Sequence, residues 1–213
     1  MPKAHVCTPG TGPLQQVTIG KEAFEPTPAT TPAGAPSRVS CYSATISIPK
    51  DASATVEVST SFTGVLTPNP RAIRQGDQQL VEYEDTLWPV SPYKIQQQST
   101  TAILPTEGIL SHSRPEDTVN KVTRLVWGSL GAAEPWSLEP LRVHFHHDKP
   151  FKKVVSLVRE IEVSHWGNIY VEEAYVIANA GSEHKGPFSR LRYQLEGGRA
   201  NSFQVGLPAE VVT

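Results

Sequence analysis

Residues 154–176, VVSLVREIEVSHWGNIYVEEAYV, decide the fold class of this chain. Val155, Leu157, Ile161 and Val163 fall at alternate positions. A period of two places side chains on one face of a pleated strand, whereas a helix repeats near every 3.6 residues. His165-Trp166-Gly167-Asn168 interrupts the run, and glycine and asparagine tolerate the positive φ of a tight reversal. Ile169, Val171, Tyr175 and Val176 then resume the extended pattern. The stretch predicts a β-hairpin with an aromatic residue at its turn. By itself it names no chemistry.

The same pattern extends upstream. Leu141, Val143, Phe145 and His147 alternate with Arg142, His144 and His146, and Asp148-Lys149-Pro150 turns the chain into the hairpin. Tyr42–Ile48 reads as a strand with one buried and one wet face, followed by a turn at Pro49-Lys50-Asp51. Ala54–Leu66 reads as the next strand, with Ala54, Val56, Val58, Phe62 and Leu66 in one phase. Pro68-Asn69-Pro70 closes it, because proline cannot donate to a central ladder. Leu80–Glu84 is a short strand, Leu87–Tyr93 an aromatic, proline-rich corner, and Ile95–Leu104 an extended segment. Residues 105–120 are polar and read as loop, and Val122–Leu130 as a strand. Few windows carry a helical period, and no internal repeat occurs. Short alternating segments separated by turn residues predict an all-β, antiparallel β-sandwich.

Residues 1–37 hold few large apolar groups, and the run Glu25–Pro36 is dominated by proline, threonine and alanine. Such a segment buries little area to offset the entropy of ordering it, so a disordered or linker-like tail is expected. Gln16–Ile19 is its only strand candidate. The domain plan is then a tail over 1–37, a β-sandwich over 38–150, and the start of a second, incomplete sandwich over 151–213.

Composition narrows the function. The chain has 213 residues with 19 prolines and 15 glycines, which suits loop-rich β structure better than helix bundles. Its formal net charge of −2 and the absence of a basic stripe argue against nucleic acid as a partner. No stretch approaches the ~20 apolar residues of a membrane helix, and the N-terminus carries no apolar core of a secretory signal. There are two cysteines, Cys7 and Cys41, with no metal-binding spacing. Free thiols are the ordinary state of such a pair, and one disulfide is the other outcome left open.

Few side chains suggest chemistry. His144 and His146 share one strand face at a spacing that can chelate a divalent metal, with His165 or a carboxylate as a third ligand. A solvated polar face is the plainer reading, because nothing supplies the remaining ligands. Glu172 and Glu173 are adjacent in a strand, point to opposite faces, and so do not form an acid/base pair. No nucleophile elbow occurs, and Glu196-Gly197-Gly198 lacks the strand-loop-helix setting of a phosphate loop. Trp88, Tyr93 and Trp166 could offer aromatic faces to a carbohydrate or peptide, with packing in core and corners as the ordinary alternative. Lys185-Gly186-Pro187-Phe188-Ser189-Arg190 reads as a tight turn anchored by Phe188. Neither catalytic, cofactor-binding nor metal-binding residues are assigned.

Two blocks then resemble a known family. Arg159 to Ile169 with Val171-Glu172-Glu173, followed by Lys185 to Arg190 with Tyr193-Gln194, closely resembles the ribophorin I family. The upstream order Val65 to Pro70, Gln79 to Glu84, and Ser91-Pro92-Tyr93 is similar too, so the resemblance covers roughly residues 38–208. It implies a non-catalytic subunit of the eukaryotic oligosaccharyltransferase. That complex transfers a preassembled glycan from dolichyl pyrophosphate to the Asn of Asn-X-Ser/Thr in nascent polypeptides. It also implies a location on the lumenal side of the endoplasmic reticulum membrane and a scaffold or substrate-presenting role. The implied partners are the other subunits, the catalytic membrane subunit among them, and nascent polypeptide. The implied fold resembles the N-terminal β domain of zinc aminopeptidases. His165, Trp166, Gly167, Asn168, Lys185, Gly186, Pro187, Phe188 and Arg190 are the structural or interaction candidates, and Trp166 is expected to pack against the preceding domain. The family's signal peptide, membrane helix and cytosolic part have no counterpart in these residues, so the chain is expected to be a fragment, a gene-model error or a shortened paralogue. A freestanding binding module is the alternative.

Overall fold

The computed structural model describes residues 3–9, 17–19, 22–24, 27–28, 30–37, 39–45, 53, 55, 57–59 and 62–195. Their order is β1 (Lys3–Pro9), β2 (Val17–Ile19), β3 (Glu22–Phe24), β4 (Thr27–Pro28), β5 (Val39–Thr45), β6 (Leu66–Pro68), β7 (Ala72–Ile73) and β8 (Leu80–Thr86). Then follow β9 (Thr100–Ile103), β10 (Ile109–His112), a 3-10 turn at Pro115–Asp117, β11 (Thr118–Lys121), β12 (Arg124–Trp127) and β13 (Pro140–His146). The hairpin is β14 (Lys152–Val163) and β15 (Ile169–Asn179), and β16 (Glu183–His184) and α1 (Arg190–Leu195) close the described chain. The chain is all-β, with antiparallel sheets and one short helix. It divides into two compact units, residues 1–67 with 81–146, and residues 68–80 with 147–213.

In the first unit, two sheets carry the core, ordered β10-β13-β8-β6 and β11-β12-β9. Strand β13 follows its alternation: Leu141, Val143 and Phe145 are buried while Arg142, His144 and His146 face outward. Val81 on β8, and Leu125 and Trp127 on β12, are buried with them, as are Leu87, Trp88 and Val90 in the corner that follows β8. Trp127 is fully buried, and its indole N–H donates to the Ser113 carbonyl at 3.0 Å, so its one polar atom is satisfied. Arg114 grips Glu139 with two bonds, Nε to Oε1 at 2.6 Å and Nη2 to Oε2 at 2.9 Å. The Glu139 carbonyl accepts from Leu87 N–H at 2.8 Å, and its carboxylate accepts from Trp88 Nε1 at 3.4 Å.

Several expectations are corrected. Residues 1–37 are not linker throughout: β1 pairs antiparallel with all of β5, and β4 pairs with β5 from the other side. Cys7 and Cys41 lie opposite each other in that register and are joined as a disulfide, buried with Val39 and Val90 against Trp136. The cross-link supplies the order that the small side chains do not. Residues 105–120 hold β10, the 3-10 turn and β11 rather than loop, because polar residues on solvent-facing positions still complete ladders. The strand expected over Ala54–Leu66 is reduced, among its described residues, to an isolated bridge residue at Glu57 and to Leu66 at the start of β6. Val58, Phe62 and Val65 are exposed, so alternation there reflects no buried face. Pro68 lies within β6, an edge strand, where a missing donor costs no ladder bond. Ile46, Ile48, the turn at residues 49–51, Ala54, Val56, Gln16 and residues 196–198 lie outside the described residues.

The disulfide closes a loop with a sequence separation of 34. On the chain-entropy account this stabilises the fold by about 3–4 kcal/mol. Replacing both cysteines by alanine, or reducing the bond, should lower the denaturant midpoint accordingly without changing the far-ultraviolet circular dichroism of the folded state.

Candidate interaction surface

The second unit is built on the hairpin and on the segment Pro68–Leu80. Ser164 starts the reversal: its Oγ accepts from Trp166 N–H at 3.1 Å, and its carbonyl accepts from Gly167 N–H at 2.9 Å. Gly167 adopts φ +85°, the left-handed region where a side chain would be strained. Ser164 N–H then donates to the Asn168 carbonyl at 2.9 Å and closes the turn. His165 and Trp166 project from it, and Trp166 is 86% exposed. Within its own unit Trp166 has no covering element, since a turn tip displays its side chains outward.

The ladder fixes what each face presents. A bulge between Val154 and Ser156 removes Val155 from the face expected for it. Beyond the bulge Leu157, Ile161 and Val163 pair with Tyr175, Val171 and Ile169. These six apolar side chains share one face, all of them exposed. A single polar group interrupts the face: Arg159 Nε meets Glu173 Oε1 at 3.1 Å, and Tyr175 Oη donates to Glu173 Oε2 at 2.5 Å. That bond and a little burial, with the Glu173 charge behind them, raise the Tyr175 phenol above its usual range, while Arg159 opposes them. The other face carries Glu160 directly opposite Glu172, with Glu162 beside Tyr170. The ribbon is thus apolar on one side and acidic on the other. Val176 falls on the acidic side, opposite Ser156, because it is the neighbour of Tyr175 in an uninterrupted strand. Every residue of β14 is exposed.

The second block holds the segment 68–80. β16 pairs parallel with β7, aligning Glu183 with Ala72 and His184 with Ile73. Lys185 N–H donates to the Ile73 carbonyl at 2.7 Å. The Gln75 amide clasps the backbone of Ser189, donating to its carbonyl at 2.9 Å and accepting from its N–H at 2.7 Å. Phe188 lies between His184 and Tyr193, with ring centroids 5.9 and 5.7 Å away. Gly186 supplies a φ of +92°, and Arg190 begins α1. Gln79 ties the base together. Its Nε2 donates to the carbonyls of His147 at 2.9 Å and Lys149 at 3.1 Å, and its Oε1 accepts from Ser182 N–H at 2.9 Å. A Cβ on Gly181 would stand 2.2 Å from that Oε1, so a side chain there would push the Gln79 amide out of place. Lys185 to Arg190 is therefore a structural clasp, a role that local sequence could not show because its partners lie over a hundred positions away.

The remaining candidates separate. His144 and His146 do share the outward face of β13, but among the described residues no group of three His, Cys, Asp or Glu gathers to hold a metal. Glu172 and Glu173 point to opposite faces of the ribbon. Trp88 is buried at 6% exposure, so the aromatic surface of Trp88, Tyr93 and Trp166 loses a member. Among the described residues no helix is long and apolar enough to cross a membrane.

The sequence pattern of the family described as Ribophorin I matches residues 13–211. The chain is 38% identical over 164 residues to dolichyl-diphosphooligosaccharide–protein glycosyltransferase subunit 1B of Oryza sativa subsp. japonica, covering 76% of this chain and 35% of that protein. Subunit 1A of Arabidopsis thaliana is 39% identical over 163 residues, covering 76% of this chain and 26% of that protein. Subunit 1 of Caenorhabditis elegans is 34% identical over 151 residues, covering 70% and 26% respectively. The chain belongs to the ribophorin I family. It spans about a quarter to a third of the length of these relatives.

Two measurements check the site. Gln79→Ala should speed amide exchange at Ser182, whose N–H loses its acceptor, while leaving β13 protected. Ile161→Lys with Val171→Lys should abolish most binding of the dye 1-anilinonaphthalene-8-sulfonate to the ribbon, whereas Glu160→Lys on the opposite face should not.

Proposed function

We propose that this chain forms part of a non-catalytic subunit of the oligosaccharyltransferase complex, on the lumenal side of the endoplasmic reticulum membrane. The complex moves a preassembled glycan from dolichyl pyrophosphate to asparagine in Asn-X-Ser/Thr. This subunit scaffolds the complex and presents polypeptide. The observation that carries the reading is membership of a family whose relatives are named as subunit 1 of that glycosyltransferase. The buried Cys7–Cys41 disulfide supports the lumenal assignment, because such bonds persist in oxidising compartments.

The 151–213 region is the start of a second β domain, and the apolar face of the ribbon is the side that domain covers. The two strands have no other sheet partner among the described residues, which supports this reading. Affinity purification of the full-length protein tests the proposal. The other subunits should co-purify with it, and depletion should lower occupancy of Asn-X-Ser/Thr sites. Its absence from the complex, with site occupancy unchanged, would overturn the reading.

A further inference from the structure

The core-facing side of β8 carries a group that does not belong in a core. Val81, Tyr83 and Asp85 occupy alternate positions of β8, and Val81 is fully buried. Tyr83 and Asp85 therefore face the same side, toward the second sheet. There they line a cavity of about 440 Å³ together with Leu66, Ala102, Leu104 and Phe145. Its size suits a ligand or a pair of side chains. The Asp85 carboxylate accepts from Tyr83 Oη at 2.5 Å and from Thr86 N–H at 2.7 Å. Burial, that hydrogen bond and the carboxylate's charge hold the Tyr83 phenol far above its usual range, so it stays protonated and keeps donating. Among the described residues no lysine, arginine or histidine lines the cavity, and Asp85 has no ion-pair partner. A half-buried carboxylate with no cationic neighbour among the described residues makes the cavity electrostatically complementary to a cation.

One wall of the cavity is a sheet edge with no further partner among the described residues. The two core sheets have four edge strands, β10, β6, β11 and β9. Three carry a device that discourages further pairing: a bulge between Ile109 and Ser111 in β10, Pro68 in β6, and Lys121 in β11. Strand β9, Thr-Thr-Ala-Ile, carries none. Its Thr100 and Ala102 turn inward and its Thr101 and Ile103 stand exposed, so it is a regular, β-branched, uncharged edge. An extended backbone can add to such an edge and drop alternate side chains into the adjoining pocket.

We infer that this cleft binds an extended polypeptide segment along β9, with a lysine or arginine side chain reaching Asp85. The aliphatic stem of that side chain lies along Leu66, Leu104 and Phe145, and its charged head replaces the missing counter-ion. The inference does not depend on the family's complex, since it rests on the cavity, the edge and the charge.

The test uses the whole 213-residue chain and a fluorescein-labelled probe, acetyl-Thr-Val-Lys-Val-Thr-amide, followed by anisotropy. The lysine peptide should bind, and its norleucine and glutamate versions should bind at least about tenfold more weakly. Asp85→Asn, which retains acceptors for Tyr83 and Thr86, should weaken the lysine peptide by the same factor and leave near-ultraviolet circular dichroism unchanged. Ile103→Lys, at the exposed edge, should weaken all three peptides. Equal binding of lysine and glutamate peptides, or indifference to Asp85→Asn, overturns the inference. So does hexylammonium competing as well as the peptide, since the site would then take a small cation and not a strand.

Discussion

Trp127 can be fully buried only because its indole N–H finds a carbonyl, and the first unit is arranged so that it does. The acceptor is Ser113, whose own N–H and Oγ bond the backbone of Arg142 at 2.9 Å each, fixing β13 beside β10. The next residue, Arg114, adopts φ +48° and aims its guanidinium at Glu139. A left-handed conformation in a residue with a Cβ costs about 1–2 kcal/mol, so it persists only where contacts on both sides enforce it. Glu139 passes the constraint to the corner at Leu87 and Trp88. Burial of one large aromatic thus links both sheets and the proline-rich corner.

Among its described residues the second unit has no such centre. A two-stranded ribbon offers no interior, so its apolar side chains remain exposed while its backbone bonds are complete. Its order comes from ladder, turn and side-chain amides, and Gln75 and Gln79 stand in for a missing strand. This contrast explains why the two most visible sequence blocks play different parts from those their conspicuousness suggests. Trp166 marks a turn tip, and the Lys185–Arg190 block marks a fastening.

Where side chains alternate against a buried partner sheet, the sequence was readable: β8 and β13 fall where the pattern of Val81 and Val143 places them, and the hairpin was readable from its own long alternation and turn residues. Where alternation has no partner, as at Val58 and Phe62, the same pattern misled. Strands β10 and β11 were hidden because their outward residues are polar and their ladders depend on backbone alone. The Cys7–Cys41 bond was hidden because register across 34 positions is a property of the folded sheet. Asp85 was hidden differently. It reads as one acid among Glu82, Glu84 and Asp85, and only the phase set by Val81 shows that it faces inward.

The parallel pairing of β7 with β16 has a temporal consequence. Gln75 and Ser189, which clasp each other beside it, are 114 positions apart. A ribosome adding roughly 5–20 residues per second leaves the first of them waiting for about 6–23 seconds before the other exists. Within that interval β8 can find β13, and β9 can find β12, as each is made, while Pro68–Leu80 still lacks its clasp. The fastening at Gln75 can close only after both strands of the hairpin have been made.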